Sequence, residues 1–236
     1  MGPLIWGAAG AATGVAAWAT RGRSSTVFAP SVWHGPDSRR ALALTLDDGP
    51  SEGTAEVLEL LERHRVRATF FQCGANAERL PDAARAVSRA GHEIGNHTYS
   101  HAHLWLRTPS FIEGEVARAQ QVLGEVHGQA PPRLFRAPYG VRWPGLGGAQ
   151  RRHGLLGVMW TMLGRDWAAP AEGVAARLVD GARPGGIICL HDGRELTVRP
   201  DIASTLGTLR IALPRLIDQG YEFLTVNELL GGKNTP

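Results

Sequence analysis

Short apolar runs alternate with longer amphipathic segments along most of the chain. Runs of this kind, bounded by Gly, Pro, Asn and Asp, are typical of buried strands. We predict seven strands, at 41–46, 68–74, 92–97, 134–140, 154–162, 185–191 and 221–226. Because these runs are apolar on both faces, they predict a parallel sheet that is covered by helices.

The amphipathic segments carry apolar residues at the spacing of one helix face. In residues 54–64, for example, Val57, Leu58 and Leu61 fall on one side. Helices are predicted at 54–64, 81–91, 110–128, 170–182 and 204–220. The strand-then-helix order repeats about seven times, which indicates an α/β fold and favours a closed or nearly closed parallel β/α barrel. An open doubly wound sheet is the alternative.

The beginning of the chain has a different composition. Residues 2–20 carry no charge and, as a helix, are long enough to cross the hydrocarbon core of a bilayer, although many of them are Ala or Gly. We predict an N-terminal apolar helix, at 1–20, that anchors the protein in a membrane. A cleaved signal peptide is the alternative, but the basic segment that begins such a signal is missing. Residues 21–40 are predicted to be a tether and residues 41–236 a single domain.

Composition and charge exclude several classes of protein. The chain has 236 residues, of which 43% are hydrophobic, enough for a large core, and its net charge is +3. No block of Lys and Arg with interleaved aromatic residues is present, so nucleic acid is not a predicted partner. Cys73 and Cys189 lie in apolar runs, where we expect buried free thiols and not a disulfide. The oligomeric state is left open.

Residues of catalytic type follow five of the predicted strands. "DD" follows the first strand, "NHTYSH" the third, "RAPYG" the fourth, "GRDW" the fifth and "HD" the sixth. Because the carboxyl ends of the strands share one rim in a β/α barrel, we expect these residues to meet there.

His97 and His101 are four residues apart, a spacing that can direct two imidazoles at one point. A carboxylate from the Asp47-Asp48 pair would complete a His₂Asp metal site with open positions for water and substrate. The second carboxylate of that pair would then accept a proton from the attacking water. Gly49 is part of the turn that lets both carboxylates point toward the rim.

The other histidines have simpler interpretations. His64, His127 and His153 fall near predicted helix C-termini, where an imidazolium suits the helix dipole. His103 has the wrong spacing for a ligand and is predicted to lie on the surface.

"TLDDGP", "HTYSH", "RAPYG", "RDW" and "LHD", in this order, resemble the successive motifs of the polysaccharide deacetylase family, also called carbohydrate esterase family 4 or the NodB homology domain. The resemblance covers about residues 41–230. It implies a distorted parallel β/α barrel, of about seven strands here, and the metal-dependent removal of N- or O-acetyl groups from sugars.

The resemblance also implies roles for single residues. Asp47 matches the family's catalytic base, and Arg136 matches the arginine that orients this base. Asp48, His97 and His101 match the ligands of a divalent cation, usually Zn²⁺, for which Co²⁺ can substitute.

The later motifs match the groups that handle the substrate. The backbone N–H of Tyr139 matches the donor that holds the oxyanion. His191 matches the general acid that protonates the leaving amine, and Asp166 matches the carboxylate that holds this imidazole. Trp167 and Leu190 match residues that wall the acetyl pocket.

Two positions depart from the family pattern. Leu163 stands where the fourth motif usually has an Asp, and Leu46 stands where the first motif usually has a Phe. Because Asp166 is intact, we expect activity to persist, with a possible change in substrate preference at Leu163.

We therefore predict an enzyme, a hydrolase of linear amide C–N bonds that deacetylates peptidoglycan, chitin-like or lipid-linked glycans. An O-acetyl esterase would use the same residues, and a catalytically silent carbohydrate-binding member would need neither Asp47 nor His191. We expect the protein to be membrane-anchored and extracytoplasmic. Arg21 and Arg23 directly after the apolar segment favour the opposite orientation.

Overall fold

The computed structural model describes residues 14–232, and these form nine strands and nine helices. The strands are β1 (Ser31–Val32), β2 (Ala41–Asp47), β3 (Thr69–Gln72), β4 (Glu93–Asn96), β5 (Leu134–Phe135), β6 (Leu156–Val158), β7 (Met162–Leu163), β8 (Gly186–His191) and β9 (Glu222–Leu224). The helices are α1 (helical residues 14–21), α2 (Thr54–Arg63), α3 (Gly74–Arg79), α4 (Pro81–Arg89), α5 (Pro109–His127), α6 (Leu146–Arg152), α7 (Ala171–Gly181), α8 (Ala203–Asp218) and α9 (Val226–Leu229).

The strands form one sheet in the order β1-β6-β5-β4-β3-β2-β8-β7, and β9 pairs with the first residues of β2. Every pairing is parallel. The strand β6 lies beside one edge and β7 forms the other, yet only residues 159–161 separate them. The sheet must therefore curl until its edges approach each other, which confirms the predicted distorted parallel barrel in outline.

The chain between β6 and β7 spans the gap between the two edges. The N–H of Met159 donates to the Val32 carbonyl at 2.7 Å, and the N–H of Thr161 donates to the Ile187 carbonyl at 2.9 Å. In the described part of the chain, β1 and β7 themselves are not paired. The barrel is thus closed by a single extended crossing and not by a complete ladder.

Two predicted strands are shorter than expected. The run 134–140 is a strand only at Leu134–Phe135, because Pro138 has no N–H for a ladder and begins a 3-10 turn, Pro138–Gly140. The run 154–162 splits into β6 and β7 where the chain crosses between the edges. These irregular pieces lie at the rim that carries the polar motifs.

The two faces of β2 pack against different cores. Leu42, Leu44 and Leu46 pack with helix residues on the outside of the sheet, whereas Ala41 and Ala43 face the barrel interior. The small residues on the inner face leave room for large side chains from neighbouring strands. This alternation decides which residues of β2 and of its neighbour β8 can reach the central cavity.

The predicted tether, 21–40, contributes to the domain. Its residues Ser31–Val32 are β1, which pairs with β6. The guanidinium of Arg142 is buried and donates to the carbonyls of Gly22 and Ser25 and to the Ser31 hydroxyl. The segment is therefore fixed to the barrel by a strand and by a buried cation.

The predicted anchor at 1–20 falls largely outside the described residues, which begin at residue 14. Among residues 14–232, no helix has the length and apolar character needed to cross a membrane.

Candidate active site

A cavity of about 650 Å³ opens at the carboxyl ends of the strands. Asp47 and His191 are the last residues of β2 and β8, and the strand register places them directly opposite each other. His97 follows β4 by one residue. The predicted convergence at one rim is therefore what the structure shows.

Asp48, His97 and His101 are buried together on one side of this cavity. The Asp48 Oδ1 atom lies 3.3 Å from His97 Nε2 and 3.1 Å from His101 Nε2. Two atoms that share one Zn²⁺ at about 2.0–2.2 Å can be at most about 4.4 Å apart, so both distances suit a common cation. The three ligand atoms all lie within 4.8 Å of one another.

The surroundings of these side chains also suit a cation. His97 Nδ1 lies 2.8 Å from the Arg136 carbonyl, so its Nε2 is left for a ligand, as in many metal sites. Burial acts to raise the pKa of Asp48, but the hydrogen bonds from His101 and His97 outweigh it and hold this pKa well below its usual range. Asp48 is therefore an anion at any pH where the protein is folded.

Left-handed backbone conformations position two of the three residues. Asp48 has φ 73° and His101 has φ 54°, a region that a non-glycine residue adopts only at some cost. The N–H of Glu195 donates to Asp48 Oδ2 at 2.9 Å, so the loop after β8 holds the other oxygen of this carboxylate. The strained turn and this hydrogen bond together direct Oδ1 toward the two imidazoles.

Asp47 is held by a fully buried arginine. Arg136 Nη1 donates to Asp47 Oδ1 at 2.6 Å and to the Thr45 hydroxyl at 2.6 Å. The same guanidinium donates through Nε to the Val158 carbonyl and through Nη2 to the Met159 carbonyl. Because four acceptors fix the planar fork, the carboxylate of Asp47 has one orientation with its Oδ2 left toward the cavity side.

The imidazole of His191 is paired with Asp166. Its Nδ1 lies 2.9 Å from Asp166 Oδ1, and its backbone N–H donates to Asp166 Oδ2 at 2.9 Å. The Thr205 hydroxyl donates to the same Oδ2 at 2.7 Å. Burial acts to lower the pKa of His191, but the hydrogen bond and charge of Asp166 outweigh it and raise this pKa to about 9. His191 is therefore protonated at neutral pH, with Nε2–H as its remaining donor.

Tyr139 and Trp167 lie at the mouth of the cavity and are 48% and 45% exposed. Tyr139 has φ 58° in the 3-10 turn, and its hydroxyl donates to Glu195 Oε1 at 2.8 Å. The Trp167 ring meets the His191 ring edge-on, with centroids 4.8 Å apart. Both predicted residues are thus placed where a bound sugar would pass.

Leu190 does not line the cavity, contrary to its predicted position in the acetyl pocket. It is fully buried and packs in the outer core, with Leu44 and Leu46 among others. The reason is the alternation of β8, in which Cys189 and His191 face inward and Leu190 faces the helices. Leu163, the position that departs from the family motif, lines the cavity instead.

The motifs left several contributors to the site unnoticed. Thr45 and Thr205 hold Arg136 and Asp166, and Glu195 connects the Asp48 side of the cavity to its mouth. Only Thr45 had a signal in the sequence, because it is two residues before Asp47 and so faces the same side of β2.

The other histidines lie as expected. His64 and His153 follow the last residues of α2 and α6, and His127 ends α5. His103 is exposed and stacks on the Tyr139 ring, with centroids 5.1 Å apart.

Comparison with known proteins agrees with this geometry. A model of the family described as polysaccharide deacetylase matches residues 34–157. The chitooligosaccharide deacetylase of Azorhizobium caulinodans is 38% identical over 192 residues, which cover 78% of this chain and 91% of that protein. A peptidoglycan-N-acetylglucosamine deacetylase of Bacillus cereus is 34% identical over 206 residues, which cover 86% of this chain and 93% of that protein.

The fold is also similar to a solved structure. The crystal structure of the Bc1960 peptidoglycan N-acetylglucosamine deacetylase, in complex with a naphthyl N-hydroxybenzamide, superposes with a TM-score of 0.77 at 29% identity, covering 86% of this chain and 94% of that one. Motifs, geometry and relatives agree, and the chain belongs to the polysaccharide deacetylase family and is an enzyme of that family.

Proposed function

We propose that this protein removes N-acetyl groups from an amino-sugar glycan, using a divalent cation held by Asp48, His97 and His101. The observation that carries the proposal is one cavity in which this ligand set, a carboxylate on a buried arginine and a protonated histidine all meet. The relatives named for chitooligosaccharide and peptidoglycan deacetylation support the substrate class.

The donor set favours Zn²⁺, with Co²⁺ as a substitute. Two imidazole nitrogens and one carboxylate oxygen are ligands that Zn²⁺ accepts in tetrahedral catalytic sites with an open position. When bound there, the cation would supply Lewis acidity that polarises the acetyl carbonyl and makes water more acidic.

Asp47 is the proposed general base. The salt bridge from Arg136 occupies Oδ1, so Oδ2 is the atom that accepts the proton of the attacking water. Because the Arg136 guanidinium is itself fixed to two backbone carbonyls, the carboxylate cannot rotate away to ligate the cation. Adjacent aspartates thus have separate roles, one as ligand and one as base.

His191 is the proposed general acid. After water has added to the acetyl carbon, the C–N bond breaks only if the amine leaves as a neutral group, which requires a proton at nitrogen. His191 holds such a proton on Nε2 because Asp166 keeps the ring charged. The strand register that faces Asp47 with His191 sets base and acid on opposite sides of the scissile bond.

The remaining groups bind the acetamide. The backbone N–H of Tyr139 is the proposed donor to the developing oxyanion, supported by its place in a left-handed turn beside His101. Trp167 and Leu163 offer apolar surface for the acetyl methyl group. An O-acetyl ester would fit the same groups, so the balance between amide and ester substrates has to be measured.

We further propose that residues 2–20 attach the protein to a membrane on its extracytoplasmic side. The uncharged composition of this segment supports attachment, and a relative named for peptidoglycan supports the side. Protease treatment of intact spheroplasts tests the orientation: digestion of the chain supports the proposal, and protection would place the domain in the cytoplasm, as Arg21 and Arg23 favour.

Acetate release by the full chain tests the activity. With Zn²⁺ or Co²⁺, we expect acetate from N-acetylated chitooligosaccharides or peptidoglycan, and less from acetylxylan. Asp47→Asn should lower kcat by about 10³-fold or more while the bound metal stays at the wild-type level. Asp37→Asn, at an exposed carboxylate, is the matched control. Undiminished turnover in Asp47→Asn would remove this residue from the mechanism, and a silent wild type would leave only carbohydrate binding.

A further inference from the structure

Cys189 touches the proposed catalytic base. Its Sγ atom lies 3.4 Å from Asp47 Oδ2, the oxygen that Arg136 leaves free. Cys189 pairs in register with Thr45 of β2, so both face the barrel interior below Asp47 and His191. The thiol lines the central cavity, although the proposed reaction has no use for it.

Asp47, Cys189 and His191, which we call the soft-cation trio, form a second group of metal-ligating atoms. Their ligand atoms lie within 4.8 Å of one another, and none of the three belongs to the Asp48 set. A Zn–S distance of about 2.3 Å and a Zn–O distance of about 2.1 Å put the two atoms about 3.6 Å apart in a tetrahedral site. The observed separation of Sγ and Oδ2, 3.4 Å, is close to this value.

Outer contacts prepare two members of the trio for ligation. His191 Nδ1 is bonded to Asp166, which leaves Nε2 for a ligand in the carboxylate–histidine–metal arrangement. Asp47 Oδ1 is bonded to Arg136, which leaves Oδ2 for the same cation. The ligand atoms are therefore oriented by groups that do not need to move when an ion binds.

We propose that the soft-cation trio binds a second, thiophilic divalent cation, and that this ion inhibits the enzyme. A thiolate ligand selects Zn²⁺ or Cd²⁺ over Mg²⁺ and Mn²⁺, which prefer oxygen. The ion displaces the thiol proton of Cys189 and the Nε2 proton of His191 into solvent. The inhibition, unlike the binding, rests on the proposed function, because the ion would occupy both the base and the acid.

Ultraviolet absorption from thiolate-to-cadmium charge transfer tests the site without any turnover. The full chain is first given one equivalent of Zn²⁺ and then titrated with Cd²⁺. Exchange of Cd²⁺ into the Asp48 set produces no such band, because that set contains no sulfur. We expect a band that saturates at one thiolate per chain in the wild type and in Cys73→Ser, which removes the other buried thiol.

The variants Cys189→Ser and Cys189→Ala should lose the band. In acetate release, they should need about tenfold or more Cd²⁺ or excess Zn²⁺ for half inhibition than the wild type does. Mn²⁺ should neither give the wild type a band nor inhibit it at the same concentrations, a comparison that needs no variant to fold.

A wild type without the band, or a band that persists in both Cys189 variants, overturns the proposal. Equal inhibition of the wild type and the Cys189 variants overturns it as well, because the ion would then act elsewhere. A band without inhibition supports the site but contradicts the roles given to Asp47 and His191, so the two failures are distinguishable.

Discussion

Replacing Asp166 by Asn tests how the cavity keeps an acid charged at neutral pH. In the wild type the pKa of His191 is raised from 6.5 to about 9, which corresponds to about 3 kcal/mol in favour of the charged ring. The contacts responsible are the 2.9 Å hydrogen bond to Asp166 and the charge of that carboxylate. Asn keeps the shape and removes the charge.

The expected result is a fall of the His191 pKa back toward 6.5 in Asp166→Asn. Burial then disfavours the charged ring, with only the more distant carboxylates of Asp47 and Asp48 opposing it. The titration of the His191 ring protons by NMR in the metal-free protein measures this directly. In the active enzyme, the basic limb of the kcat/KM profile should move to lower pH together with it.

Stability should follow with a definite sign. A histidine whose folded pKa is raised stabilises the fold fully below about pH 6.5, and this stabilisation is lost as the pH rises through about 9. Asp166→Asn should therefore abolish the wild-type decline in unfolding free energy between these values. Asp218→Asn, at an exposed carboxylate at the end of α8, is the control. A His191 titration that stays near 9 in Asp166→Asn would refute the reasoning.

Two further predictions concern the arginine and the corrected leucine. Arg136→Lys should lower kcat by about 10²-fold or more with KM little changed, because a single ammonium cannot replace the fork that joins Asp47 to two backbone carbonyls; steady-state kinetics measures this, and wild-type kcat would show that the fork is dispensable. Leu190→Ala should lower the free energy of unfolding by about 2–5 kcal/mol in urea titrations, with little change in KM. A large rise in KM at unchanged stability would return Leu190 to the acetyl pocket.

Much of the site could be predicted because its residues end strands. Asp47 and His191 terminate the two longest apolar runs of the sheet, and parallel strands bring their carboxyl ends to one edge whatever the loops do. His97 and His101 were marked by a spacing that is local in the chain. The fold class followed from the same repetition, since strand and helix signals are local as well.

The alternation along β8 shows a misplacement that the sequence itself could have corrected. If His191 faces the cavity, the neighbouring Leu190 must face the helices, and Cys189 must face inward again. The family motif drew attention to the leucine and away from the cysteine.

Other features depend on contacts between distant segments. The pairing of β1 with β6 joins residues 31–32 to 157–158, and nothing in a two-residue strand marks it in advance. The link from Glu195 to Asp48 likewise depends on where the loop after β8 folds back. Such contacts are decided by packing of the whole barrel, which local patterns do not encode.

The location of a single bound zinc tests the account most directly. Crystals of the full chain grown with one equivalent of Zn²⁺ can be measured at the zinc absorption edge, where the ion gives an anomalous peak. The account predicts one peak bonded to Asp48, His97 and His101, with Asp47 on Arg136 and outside bonding distance. A peak elsewhere, or a zinc ligated by Asp47 in place of Asp48, would contradict it.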